Sequence, residues 1–314
     1  MSRIHEALKR AEQEKAAGFN GQKGEALVER PEVSAATLPD FAAPNVLSTS
    51  ASTTSQVLTE VIPEPLRFDE LWANCVKAQW KPDQTLLVFN NPDPFYPGTE
   101  QFRTLRSRLY RIRENQPLQT ILISSAIPAE GKTLVATNLA YALIRQQGCR
   151  VLLIDADIRS PRIHTLLGAP QTPGLADYLQ GDLSEVEIVQ RGRDEGLCFI
   201  PAGKHVTHPS ELISSNRMKQ FLERMKPLFD WVIIDSPPAL PVADASVLGG
   251  LCDGVLFVVR AGFTPSEASQ KACQELHDAH IIGVVLNTVE ESLTTDSYYS
   301  YGGYGLARSL EKGN

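Results

Sequence analysis

The sequence predicts an α/β fold: a mostly parallel sheet with helices on both faces, preceded by a disordered N-terminal extension. Two observations predict the sheet. Short apolar runs rich in β-branched residues recur along the chain, at Thr120–Ser124, Val151–Ile154, Leu197–Ile200, Trp231–Ile234, Val255–Val259 and Ile282–Leu286. Helical patterns separate most of them, at Lys132–Gln146, Asn216–Lys226 and Ser266–Ala279. Strands that are apolar on both faces and alternate with helices imply a buried parallel sheet with crossover helices. A third observation marks the extension: the stretch before residue 67 is rich in Pro, Ser and Thr and poor in aromatics.

Taken in order, residues 1–16 read as a short helix, with Ser2 as its cap and Ile4, Leu8 and Ala11 on a narrow apolar stripe. Residues 17–66 carry Pro31, Pro39, Pro44, Pro63 and Pro65 and only Phe19 and Phe41 as aromatics. Such a stretch buries too little apolar surface to offset its ordering entropy, so it reads as a linker. Apolar content returns at Phe68–Trp80, which reads as a short helix packed on the α/β domain. Residues 67–293 form that one domain, and residues 294–314 a flexible, tyrosine-rich tail.

Composition limits the function. The chain has 314 residues, 42% of them hydrophobic and 21% charged, close to the globular average. Its formal net charge of -7 argues against general nucleic-acid binding. The 5 cysteines have no CxxC spacing, which points to reduced thiols and away from a disulfide framework or zinc site. No run approaches the roughly 18 apolar residues of a membrane helix. The expectation is a cytoplasmic protein whose membrane role, if any, passes through a partner.

Three motifs carry chemistry. The first is Ser124-Ser125-Ala126-Ile127-Pro128-Ala129-Glu130-Gly131-Lys132-Thr133, which follows a strand and opens a helix. That context suits a phosphate-binding loop, whose inward N–H groups attract phosphate oxygens. Lys132 would bring a point charge to the β/γ-phosphates of ATP, and the Thr133 hydroxyl would ligate Mg²⁺. Ala129, Glu130, Gly131, Lys132, Thr133 and Leu134 make up the candidate nucleotide contact. Ala126 stands where the general pattern has its first glycine.

The second motif, Leu152-Leu153-Ile154-Asp155-Ala156-Asp157-Ile158-Arg159, sends two carboxylates from the end of a buried strand. Period-two geometry puts both on one side if the strand continues. Such a pair can hold a metal or accept a proton; the same residues also suit a solvated loop with helix-capping aspartates. The third, Trp231-Val232-Ile233-Ile234-Asp235-Ser236-Pro237-Pro238, ends an apolar strand in an acid that fits the Mg²⁺ side of a P-loop NTPase.

The order of these motifs resembles the bacterial tyrosine kinase family, the cytoplasmic kinases of capsule and exopolysaccharide export, over roughly residues 94–305. Glu100-Gln101-Phe102-Arg103-Thr104-Leu105-Arg106 matches that family's ring-forming Glu-x-x-Arg-x-x-Arg motif. Spacings of three and six put Glu100, Arg103 and Arg106 along one helix face. The tail Asp296–Gly305 holds Tyr298, Tyr299, Tyr301 and Tyr304, four of the chain's 8 tyrosines, and looks like the family's autophosphorylated cluster.

The resemblance implies a P-loop NTPase fold like that of the partitioning ATPases and a protein-tyrosine autokinase using ATP and Mg²⁺. It also implies a ring-forming homo-oligomer at the inner face of the plasma membrane, protein tyrosine substrates and a separate membrane-spanning activator, because the fused membrane half of many relatives is absent. By carry-over, Lys132, Asp155, Asp157 and Asp235 are catalytic. Thr133, Asp157 and Asp235 hold the metal, and Asp155 takes the tyrosine proton, a role it could exchange with Asp157. Asn287, closing the Val284-Val285-Leu286 run, and Arg260 are expected near the nucleotide; Asn287 reads almost as readily as a turn residue.

Two departures stand out. Ala129 replaces a glycine of the family loop and would be strained if the backbone there has positive φ. Ile127 stands where partitioning ATPases carry a signature lysine, which weakens that rival. A non-kinase ATP switch within an export complex is the remaining alternative. The segment His208-Pro209-Ser210-Glu211-Leu212-Ile213 also matches the family, without an evident chemical role.

Overall fold

A computed structural model of the chain describes residues 66–91 and 96–289. The expected N-terminal helix, nearly all of the linker and the tyrosine-rich tail lie outside the described residues. The described residues form an eight-stranded sheet with helices on both faces.

The chain enters through α1 (Phe68–Asn74) and β1 (Val76–Lys77), crosses to α2 (Pro97–Asn115), and then alternates. β2 (Thr120–Ser125) leads to α3 (Lys132–Ile144) and β3 (Val151–Asp155). Four short elements come next: α4 (Ile163–Leu167), α5 (Leu175–Gln180), α6 (Glu185–Ile188) and β4 (Gln190–Arg191). They lead to β5 (Leu197–Ile200), α7 (Pro209–Ile213), α8 (Asn216–Met225) and β6 (Trp231–Asp235). The chain closes with α9 (Asp244–Leu251), β7 (Gly254–Arg260), α10 (Ser266–Glu275) and β8 (Ile281–Asn287).

The strand order is β1-β4-β5-β3-β6-β2-β7-β8. Every pairing is parallel except β4 with β5. All six apolar runs became strands; in the central ones period-two alternation sends both sets of side chains into buried layers, whereas the edge strand β8 leaves Val284 and Leu286 exposed. Leu122, Leu152, Ile154, Val232, Ile234 and Phe257 face one layer, with Met218, Phe221 and Leu222 of α8 and Leu248 of α9. Ile121, Ile123, Leu153, Phe199, Ile233 and Val258 face the other, with Val135, Leu139 and Leu143 of α3 and Leu109 of α2.

One expectation is corrected. The helix beginning at Phe68 stops at Asn74, and Val76–Lys77 turns into a strand that pairs with Gln190–Arg191. The backbone N–H groups of Val76 and Ala78 donate to the carbonyls of Val189 and Arg191, so extending the sheet satisfies them. Beyond β1 the chain crosses to α3, where Asn138 accepts from the Val88 N–H at 2.8 Å and donates to the Leu86 carbonyl at 3.0 Å. α3 is buried continuously from Val135 to Leu143, so this buried amide needs those partners.

The topology positions the site. β2 lies between β6 and β7, whereas the chain leaves β2 for β3 on the far side of β6. Connections that depart in opposite directions open a crevice at the carboxyl ends of the strands, the place where such sheets take ligands.

Candidate active site

The loop from Ala126 to Gly131 joins β2 to α3, and Lys132 is the first residue of the helix. The first N–H groups of α3 have no intrahelical partner and lie at the positive end of its dipole. Gly131 has φ 91°, and a Cβ there would collide with Asn287 Nδ2. Glycine is therefore required twice over, by conformation and by space. Ala129 has φ 67°, so the strain anticipated from the sequence is present. A non-glycine residue in this region costs about 1–3 kcal/mol and persists only where neighbours hold it.

The acids meet across two strands. Asp155 ends β3, Asp235 ends β6, and the two are register partners, both fully buried. Asp155 Oδ2 accepts from the N–H groups of Arg162 and Ile163, each at 3.1 Å, while its Oδ1 has no partner. Neither oxygen of Asp235 has a hydrogen-bond partner of normal geometry, although the Thr133 side chain is close enough to favour its charge. Lys132 Nζ lies 3.0 Å from Asp157 Oδ2, and Asp157 Oδ1 accepts from the Ser160 N–H at 3.1 Å.

The electrostatics follow from three carboxyl groups and one ammonium in buried space. Burial first, then the charge of Asp235, holds the Asp155 carboxyl well above the usual carboxylate range. Burial pushes Asp235 up to about 7, against the pull of Lys132. Burial opposes the charge of Lys132, but Asp235, Asp157 and Asp155 outweigh it and its pKa stands above the ordinary lysine value. Such a site favours added positive charge.

The residues fit a nucleotide-bound Mg²⁺. Three buried carboxyl oxygens lack partners, and the Thr133 side chain stands beside two of them. Among the described residues no three His, Cys, Asp or Glu side chains form a self-sufficient metal cage. Mg²⁺ suits that poverty, because it keeps waters and takes one or two carboxylates plus phosphate oxygens.

The other expected residues lie around the loop and on α2. Asn287 Nδ2 donates to the Glu130 carbonyl at 2.9 Å, and Arg260 Nη1 reaches the Ala129 carbonyl at 3.4 Å. Both side chains therefore hold the loop. Glu130 is buried, and Leu134 sits half-buried in the first turn of α3. On α2, Glu100 and Arg103 are exposed and pair with each other, whereas Arg106 turns inward to the Ala142 carbonyl at 2.8 Å. Tyr298, Tyr299, Tyr301 and Tyr304 lie outside the described residues.

A cluster the motifs did not foretell flanks the site. Arg159 Nε donates to Asp244 Oδ2 at 2.9 Å and its Nη2 to Ser210 Oγ at 2.7 Å; Ser210 Oγ in turn donates to Asp244 Oδ1 at 2.5 Å. The His208–Ile213 segment thus contributes Ser210 to bracing the turn after Asp157. Asp244 carried no sequence signal beyond standing near the start of a helix.

A family model described as an AAA domain matches residues 119–271. Tyrosine-protein kinase YwqD of Bacillus subtilis is 36% identical over 208 residues, 66% of this chain and 86% of that protein. The chain belongs to the bacterial tyrosine-kinase family. Tyrosine-protein kinase CpsD of Streptococcus agalactiae is 33% identical over 66% of this chain and 89% of its own. The solved kinase domain of Escherichia coli ETK superposes with a TM-score of 0.58 at 35% identity, covering 61% of this chain and 75% of that one. Longer family members are matched over a smaller share; the chain spans 32% of the E. coli K12 kinase etk. No helix among the described residues is long and apolar enough to cross a membrane.

Proposed function

We propose that this chain is an ATP- and Mg²⁺-dependent protein-tyrosine autokinase. It phosphorylates Tyr298, Tyr299, Tyr301 and Tyr304 of a neighbouring copy and regulates exopolysaccharide or capsule polymerisation and export. The carrying observation is the register pairing of Asp155 with Asp235 beside Lys132, at the mouth of a loop shaped for phosphate.

Bound ATP–Mg²⁺ supplies the phosphoryl group and the cation that neutralises the acids. The chain's own residues do the rest. Lys132 and the N–H groups of the α3 N-terminus bind and orient phosphate oxygens. Thr133, Asp157 and Asp235 hold the metal directly or through water. Asp155 Oδ1, free of other partners, is the atom that takes the proton from the tyrosine hydroxyl. A base must be ionised to take a proton; burial and Asp235 oppose the ionised form of Asp155, and a cation held by its neighbours would favour it.

Attack on a neighbour is within reach. From Asn287 to Tyr298 the chain can span roughly 36 Å when extended. A ring built through the exposed Glu100 and Arg103 of α2 would bring tails to adjacent sites, whereas Arg106, expected on the same outward face, is turned inward to the Ala142 carbonyl. Each phosphate adds about -1.5 to -2 charge, so a fully modified tail would repel its neighbours and loosen the ring. Size-exclusion chromatography before and after phosphatase treatment tests that step; an unchanged elution volume contradicts it. The setting, beneath the plasma membrane with a separate membrane-spanning activator, rests on the family resemblance.

The test of the activity is incubation with ATP and Mg²⁺ followed by phosphotyrosine detection. Lys132→Met and a truncation before Ser297 are the controls. Wild-type protein should be modified and both controls blank. Absence of phosphotyrosine even with an activating segment present would leave a P-loop switch without kinase activity.

A further inference from the structure

The phosphate loop is gripped from outside by a side chain that none of the motifs contains. Thr264 lies in the connection from β7 to α10, far in sequence from the loop. Its hydroxyl accepts from the Arg260 backbone N–H at 3.1 Å and donates to Glu130 Oε1. The other oxygen of Glu130, Oε2, accepts from the Ile127 N–H at 2.7 Å. One buried carboxyl group thus ties the first half of the loop to β7 through a single hydroxyl. Asn287 on the Glu130 carbonyl and Arg260 on the Ala129 carbonyl complete the grip.

The element that needs holding is Ala129, at φ 67°. Glycine would adopt that conformation freely; alanine does so only under constraint. The two carbonyls that follow the strained φ, those of Ala129 and Glu130, are the ones fixed by the ends of β7 and β8. If the turn relaxed, the following N–H groups would lose their aim at the phosphate positions.

We infer that Thr264 is a positioning residue for nucleotide binding: its hydroxyl, relaying between the β7 backbone and Glu130, latches the phosphate loop in the left-handed turn that Ala129 resists. The relay needs a group that donates and accepts at once, and Ser is the smallest replacement that keeps such a hydroxyl. Glu130 and Thr264 act together, and neither needs to touch the nucleotide. This rests on the proposed ATP–Mg²⁺ site, and the experiment separates the two.

Affinity for ATP–Mg²⁺ is measured by calorimetry, and kcat and KM by phosphotyrosine formation, on the full chain. Thr264→Val should weaken affinity and raise KM about tenfold, close to 1.4 kcal/mol, with kcat at saturating ATP within about twofold. Thr264→Ser should restore affinity. Thr264→Ala, which removes the hydroxyl without crowding, should match Thr264→Val and carries the test if the valine variant unfolds. Adding Ala129→Gly to Thr264→Val should recover most of the loss, because the turn then needs no latch. Equal affinity in wild type and Thr264→Ala overturns the latch, as does an equal loss in Thr264→Ser or a double variant that recovers nothing. A wild-type protein that binds no ATP–Mg²⁺ overturns the proposed site itself.

Discussion

At the carboxyl ends of β3 and β6, three acids and one lysine share buried space. At the β1–β4 edge of the same sheet, cations lie on aromatic faces. Arg191 sits 4.6 Å above the Trp72 ring and Arg150 4.2 Å above Phe68, which stacks on Trp72 and meets Phe229 edge-on. The edge lays each cation on a ring and gains stability from apolar area and cation–π attraction, although Arg191 Nε is buried without a hydrogen-bond partner. The centre leaves carboxyl oxygens unpartnered and two acids with raised pKa, so it forgoes stability for the capacity to take a cation and a proton. Substitution should therefore separate the two regions: changes at the centre abolish activity at little or negative cost in stability, and changes at the edge do the reverse.

The largest expected effect is at Lys132. Lys132→Met should lower phosphotyrosine formation by at least about a hundredfold, because the loop loses its point charge toward phosphate. Immunoblotting over a time course reads it, and a variant retaining a tenth of the rate would remove Lys132 from the mechanism.

Asp235→Asn sharpens the contrast further. Activity should fall about a hundredfold while the protein gains stability, on the order of 2 kcal/mol or about 5 °C in melting midpoint at pH 8. The sign follows from linkage. The folded pKa, about 7, lies above the unfolded carboxylate value, so the native state binds its proton more tightly. This group's contribution to stability is greatest below the unfolded pKa and declines as pH rises toward about 7. Melting curves between pH 4 and 8 should show a shallower decline in Asp235→Asn than in wild type; identical curves would mean that Asp235 is not strained by burial.

How much of this was legible in the sequence depends on where each signal resides. The central strands were readable because residues such as Leu152–Ile154 and Val232–Ile234 are buried on both faces, which leaves an unbroken apolar run. The two-residue strands β1 and β4 were not, since two residues display no period. Lys132, Asp155 and Asp235 were found individually through their positions at strand and helix ends. Their convergence belongs to the register of β3 against β6, which pairs residues 80 positions apart and leaves no local mark. Arg260 and Asn287 were placed beside the nucleotide by likeness; the structure gives them loop carbonyls to hold. Thr264 and Asp244 were missed because a single hydroxyl or carboxyl acting across the fold has no spacing to betray it.

A smaller effect concerns protons. Because a cation beside Asp235 favours its ionised form, ATP–Mg²⁺ binding should release protons near pH 6.5 and weaken by up to about tenfold per unit below pH 7. Calorimetry in buffers of different ionisation enthalpy measures the release, and buffer-independent heats would contradict it. Smallest at the site is the effect of the edge. Trp72→Ala should cost about 1–2 kcal/mol, lowering the melting midpoint by a few degrees, and leave ATP–Mg²⁺ affinity unchanged. A change in affinity would show that the edge and the crevice are energetically coupled.

The most direct test of the central claim is a calorimetric titration of ATP into the folded wild-type chain and its Lys132→Met variant, with and without Mg²⁺. Saturable one-to-one uptake that requires both Mg²⁺ and Lys132 is the predicted result. No uptake by folded wild-type protein, or equal uptake by the variant, would contradict the claim that this loop and these acids form a triphosphate site.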